Sequence, residues 1–314
     1  MNFIVNILAL GVPFSVALLI ASLGEMINQR AGIFNLGCEG IMAMGAFLGM
    51  LIPHIAGQGG QAHGIYNLLG ILAAVGVGAV LGVFFGLSVI TFRSPQGIAG
   101  IGLQMFGVGT AGTLFRHFIG GTQSVPGIGA LPIPLLSKIP ILGQIFFSHN
   151  LLVYIAFLLV PLSWYVLNKT PWGLEVRAAG THPRAADSIG VRVALVRYQA
   201  LAVGGGLAGL AGAYLSLCQA KMFSDSLIAG RGFIAVALVY FGHWNPVRIM
   251  GGALLFSLAQ SLQLAIQGRG INFPYEFAVM LPYVLVIVVL AFSRRNKQLS
   301  PMALGKPFNR EMRV

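Results

Sequence analysis

Acidic side chains are almost missing from this chain: seven Asp and Glu stand among 314 residues, against 19 Lys and Arg. Charged residues make up 8% of the total, where a soluble domain carries roughly 25%. That scarcity excludes an ordinary water-soluble globule, and no clustered constellation of a membrane enzyme is visible. Cysteine is equally scarce. Cys38 and Cys218 both lie in or beside apolar segments and neither belongs to a CxxC, so they offer no disulfide or metal framework. The histidines show no ligand spacing. No G-x-x-x-x-G-K-[ST] occurs, so no P-loop is present to cradle ATP phosphates, and the sequence assigns no cofactor and no metal to this chain. The opening M-N-F-I-V-N-I-L has no Lys or Arg ahead of its apolar run. It lacks the basic start of a cleavable signal and reads as a first span.

What the chain does have is hydrocarbon: 57% of residues are hydrophobic and the mean hydropathy is +0.85. The apolar runs are continuous and about twenty residues long, which suits helices rather than the alternating strands of a barrel. The expected fold is an all-α, polytopic integral membrane protein. Candidate spans fall at about 3–24, 33–52, 67–92, 97–117, 150–168, 198–218, 231–245, 248–267 and 276–293. The seventh is short and the second is broken by glycine, so either could be re-entrant and the expectation is eight to ten membrane helices.

A net charge of +12 would suggest nucleic acid in a soluble protein, but here it has a simpler source. With the loop 169–197 and the C-terminus on the cytoplasmic side, fourteen of the 19 basic residues lie inside, as the positive-inside rule requires. Nine spans then put the N-terminus outside. Residues 1–293 form the expected transmembrane domain, with a long external loop at 119–149 and a basic cytoplasmic tail at 294–314. Pro126, Pro132, Pro134 and Pro140 forbid a regular helix through the external loop. Its apolar character suggests a segment folded back over the outer mouth, as a gate, a docking ledge or a structural cap. The tail is basic beside a span, which headgroup attraction alone explains.

The loop K-T-P-W-G-L-E-V-R-A-A-G-T-H-P-R-A-A-D-S-I-G-V-R-V is the most hydrophilic internal stretch. Thr181 is placed to cap a helix, Pro183 suits its first turn and Gly190 its C′ position. The result is a short helix of about two turns. Its small residues, Ala178, Ala179, Gly180, Ala185 and Ala186, would let another protein approach the backbone closely. The competing reading is an interfacial helix resting on lipid headgroups.

One carboxylate sits inside glycine-rich apolar sequence, in R-A-G-I-F-N-L-G-C-E-G-I-M-A-M-G. Burying it in hydrocarbon costs about 2.5–3.5 kcal/mol on insertion scales, so Glu39 needs a reason to be there. Asn35 and Glu39 are four apart and would share one face of a helix. Three readings compete: a brace for free backbone N–H groups or for Arg93, a wall of a translocation path, or a proton-coupling group. Gln104, Gln260 and Gln263 could line the same path or merely bond between helices. Gly204-Gly205-Gly206-Leu-Ala-Gly209 satisfies G-x-G-x-x-G, but its flanks are a membrane helix, so it reads as a packing stripe.

The loop W-G-L-E-V-R-A-A-G-T-H-P-R-A-A-D-S-I-G-V resembles the cytoplasmic coupling segment of ATP-binding cassette importer permeases for branched-chain amino acids, simple sugars and nucleosides. The opening R-A-G-I-F-N-L-G-C-E-G-I-M-A-M-G-A-F is similar to the N-terminal motif of the sugar and nucleoside branch, and Y-F-G-H-W-N-P-V-R-I-M-G-G-A-L-L-F looks like a further family element. Gln29-Arg30 stands where E-R is commoner. The resemblance implies two permease subunits, paralogous or identical, two ATPase domains carrying ATP and Mg, and an extracytoplasmic binding protein. It implies import of a nucleoside or simple sugar by alternating access across the bacterial cytoplasmic membrane. The segment of Gly180, Pro183, Arg184, Ala185, Ala186 and Gly190 would seat in the ATPase, with Arg177 nearby. A proton- or ion-coupled secondary transporter is the alternative, weakened by the scarcity of membrane carboxylates.

Overall fold

Proline and asparagine punctuate the helices as their backbone chemistry demands. Pro171, Pro183 and Pro246 each occupy a first helical turn, where the missing N–H costs nothing. Asn150, Thr170 and Asn245 each accept a backbone N–H from the turn they open, that of Val153, Gly173 and Val247. The computed structural model describes residues 3–57, 64–121, 124–131, 142–268 and 300–308, with scattered positions between 276 and 291.

These residues form α1 (Phe3–Arg30), α2 (Cys38–Gly57), α3 (Gly64–Gly86), α4 (Gln96–Phe118), α5 (Leu142–Phe146), α6 (Leu151–Lys169), α7 (Pro171–Thr181), α8 (Pro183–Ser188), α9 (Val193–Tyr214), α10 (Arg231–Phe241) and α11 (Pro246–Gln267). Single π turns, Leu87–Thr91 and Leu215–Gln219, continue α3 and α9. Among the described residues there is no strand, only an isolated bridge between Ser124 and Met222.

Among the described residues seven helices are long and apolar enough to cross a membrane, and the all-α polytopic reading holds. Two of the nine expected spans fall outside that number. The seventh expected span is the short helix α10, of 11 residues. The ninth, at 276–293, lies largely outside the described residues.

At the centre stands α9, packed on α3, α2 and α1. The glycine stripe makes this possible. A Cβ at Gly205 would overlap the Gly78 carbonyl oxygen of α3, and one at Gly209 would overlap that of Ala74. Backbone touches backbone, which is how helices associate where lipid removes the hydrophobic drive. The Tyr214 hydroxyl of α9 donates to the Pro13 carbonyl at 2.8 Å, using an oxygen on a proline-containing turn of α1.

The two ends of the bundle differ. Arg30, Arg93, Arg177, Arg184 and Arg197 gather at one, the basic end, with α7, α8 and residues 300–308. At the opposite end the described part of 119–149 lies over the close of α9. Val125 N donates to Lys221 O at 2.9 Å and Ile128 N to Leu217 O at 3.1 Å. Asn67 of α3 reaches the Gly127 carbonyl there.

Candidate functional site: a seated loop and an inner junction

The hydrophilic loop folds as two helices joined at His182. Thr181 does not cap the second. W-G-L-E-V-R-A-A-G is itself helical, so the Thr181 hydroxyl closes the last turn of α7 by donating to the Arg177 carbonyl. His182 breaks the helix at φ −134° and ψ 73°, and Pro183 opens α8. The stop signal is as expected. Gly190 stands at φ +95°, with Gly190 N bonded to Asp187 O at 3.1 Å and Val191 N to Ala186 O at 3.0 Å, a Schellman ending.

This pair of helices is seated on the bundle by backbone contact. A Cβ at Gly180 would overlap the Arg30 carbonyl oxygen, so no larger residue fits between α7 and the end of α1. Ala303 N donates to Gly180 O at 2.9 Å, and Gly305 N to Gly32 O at 3.2 Å. Gly32 holds φ +90°, a left-handed turn that glycine alone takes without strain. Arg197 of α9 is buried beneath, its guanidinium donating to Ala31 O at 3.1 Å and Ala179 O at 3.4 Å. One cation thus ties α9 to the ends of α1 and α7.

The coupling candidates therefore divide in two. Gly180 and Ala186 are buried in the seat, and Arg177 is half-buried, its Nε donating to the Gly173 carbonyl of its own helix at 3.4 Å. Arg184, Ala185 and Gly190 are exposed, with Pro183 half-exposed beside them, and these form the presented surface.

Deeper in, α2 begins inside the bundle and meets the start of α10. Eleven residues of α-helix measure about 16 Å, roughly half of a 30 Å hydrocarbon core. The far end of α10 is at the basic end, where Arg30 Nη2 donates to Trp244 O at 2.9 Å. Its near end, Gly230, therefore lies about 16 Å along the helix axis from that end, inside the bundle. There Glu39, in the first turn of α2, accepts the Gly230 N–H through Oε1 at 2.9 Å. Its Oε2 is buried with no hydrogen-bond partner. Arg93, expected as a possible mate of Glu39, lines a groove at the basic end instead.

Asn35 does not share a helical face with Glu39. It precedes α2 in an Asx turn, its Oδ1 accepting Gly37 N at 2.8 Å, because Gly32 has already ended the helical path of α1. The Asn35 N–H goes to Glu25 Oε1 at 3.0 Å. Glu25, one residue beyond the expected first span at 3–24, is buried inside α1, which continues to Arg30. Its carboxylate also accepts from Asn28 and Gln29, and Gln29 Oε1 accepts the Trp244 indole at 2.9 Å.

The three glutamines divide between two helices. Gln104 lies on α4 beside Gly40 of α2. Gln260 and Gln263 lie on α11, which packs on α1, α10 and α6. Arg197, Glu25 and the Gln29–Trp244 pair were invisible as site residues in the sequence. The usable signal was Q-R-A-G itself, a polar run at the end of an apolar helix.

The chain is similar to known transporter subunits over nearly its whole length. The guanosine ABC transporter permease protein NupQ of Bacillus subtilis is 35% identical, over 97% of this chain and 98% of its own. The nucleoside ABC transporter permease protein NupC of Lactococcus lactis is 35% identical over 93% of each. TsgC13 of Haloferax volcanii, a permease protein named for a glucose ABC transporter, is 33% identical over 99% of this chain and 100% of its own. No solved structure matches. The family model described as "Branched-chain amino acid transport system / permease component" matches residues 4–290, and the chain belongs to that family.

Proposed function

We propose that this chain is one permease subunit of an ATP-driven importer whose cargo is a nucleoside, with a simple sugar as the competing cargo. The chain is a permease and not an enzyme. ATP and Mg belong to a separate ATPase subunit, and the cycle is alternating access. Residues 1–293 act as the transmembrane domain and the basic end faces the bacterial cytoplasm, with the tail 294–314. The opposite end receives an extracytoplasmic binding protein, and a second permease chain, paralogous or identical, completes the pore.

The observation that carries this reading is the seat of α7 and α8. Exposed Arg184, Ala185 and Gly190 crown a helix pair whose base is locked to α1 and α9 through Gly180 and Arg197. A load on that crown reaches the membrane helices through rigid backbone contacts. The positive-inside bias supports the orientation. The names of NupQ and NupC support the cargo. Asn35, Glu39 and Gln104 belong to the inner junction, as brace or as path wall, while Gln260 and Gln263 stand on α11, as path wall or helix brace there.

Uptake by cells lacking the gene tests the proposal. Guanosine uptake falls in the deletion strain and returns on complementation, while glucose uptake is unchanged. A loss confined to glucose overturns the cargo. Uptake abolished by a protonophore at constant cellular ATP overturns the energy source.

A further inference from the structure

Headgroup attraction predicts a basic tail lying against lipid, but residues 300–308 form a built strap across the basic end. Two internal turns shape it, Leu304 N to Pro301 O and Lys306 N to Ala303 O, each at 3.1 Å. Pro301 and Ala303 are buried. The two outward hydrogen bonds, to Gly180 O and Gly32 O, bridge α7 to the α1–α2 turn.

Between this strap and the start of α8 runs a groove of about 550 Å³. Arg93, Arg184 and Lys306 line it, with apolar surface from Pro183, Met302 and Phe308 and no Asp or Glu. Among the described residues no hydrogen bond or ion pair engages those three cations. Met302 is 66% exposed. An uncompensated cationic groove with an apolar wall fits an acidic, partly apolar protrusion. A flat headgroup layer meets convex surface, and this surface is concave.

We propose that the strap is the second wall of the ATPase-docking surface, and that an acidic ridge of the ATPase subunit wedges between it and α8. The inference rests on the reading of α8 as the coupling segment. It adds that force enters the permease at two points at once. One is Gly180, at the end of α7. The other is Gly32, which leads through Asn35 into α2. Without the strap, only the first point is loaded.

The test uses the assembled importer, with both permeases, ATPase and binding protein, in lipid nanodiscs. The double reversal Arg184→Glu/Lys306→Glu is expected to lower ATPase retention during purification by about tenfold, and added salt is expected to weaken the wild-type complex in the same direction. Truncation after Leu299 is expected to remove cargo-stimulated ATP hydrolysis while the permease pair still elutes as an assembled, monodisperse species. Stimulation within about twofold of wild type after that truncation overturns the proposal. So does a double reversal that changes only binding to vesicles of anionic lipid, which would make the groove a lipid site. Ala185→Trp separates the two readings. If it leaves stimulation intact, the coupling assignment of α8 fails. If it abolishes stimulation while the strap variants retain it, the strap alone is refuted.

Discussion

The Glu39 carboxylate accepts the Gly230 backbone N–H at 2.9 Å, joining the first turn of α2 to the cap of α10. A glutamine keeps an acceptor oxygen at that position. Glu39→Gln is therefore expected to change stability by less than about 1 kcal/mol, whereas Glu39→Leu leaves a half-buried N–H without its acceptor, at a cost of about 1 kcal/mol or more. Thermal unfolding of the detergent-solubilised permease reads the difference. Uptake by the Glu39→Gln variant should keep its wild-type dependence on proton gradient. Loss confined to a low gradient would point to proton coupling instead.

Gly180 has no room to grow, since its own backbone abuts that of Arg30. Gly180→Val should push α7 away from α1 and lower the unfolding midpoint by several degrees, consistent with an overpacking cost of about 1–3 kcal/mol. Uptake should fall with it. A variant with wild-type stability and uptake would show that the seat is not tight.

Arg197 is buried and holds two carbonyl oxygens, on Ala31 and Ala179. Arg197→Met leaves both without that donor, at roughly 1–3 kcal/mol apiece. Arg197→Lys is expected to recover part of the loss, because an ammonium reaches one carbonyl but lacks the planar fork. Midpoints ordered Arg, then Lys, then Met would match; equal midpoints for all three would refute the tie.

Ala185 and Ala186 are neighbours with opposite fates, the first exposed and the second 2% exposed. Ala185→Trp should leave the fold intact and abolish cargo-stimulated ATP hydrolysis. Ala186→Trp should instead fail at assembly, through overpacking. Size-exclusion profiles beside ATPase assays distinguish the two outcomes, and identical behaviour would deny the division of the loop into base and crown.

Hydropathy made the long helices legible, because each continuous apolar run has no other stable form in lipid. The stop at Gly190 was equally readable, since only its φ of +95° was needed and glycine supplies it. Thr181 was misjudged because capping chemistry is local, whereas its role was decided by the helix already running through 172–180. The start of α2 was misplaced for a related reason. The turn 31–37 is set by long-range partners, Glu25 for Asn35 and Gln96 for Phe34, which no spacing along the chain reveals. The strap was missed because its Ala303 and Gly305 contacts depend on Gly180 and Gly32, more than a hundred residues away.

The half-length of α10 has an electrical corollary. Two helix starts, those of α2 and α10, meet inside the bundle, and each carries about half a positive charge. The Glu39 side chain lies between them, its Oε1 on the Gly230 N–H. An acceptor oxygen there meets the positive ends of both helices at once, so a single side chain answers two dipoles.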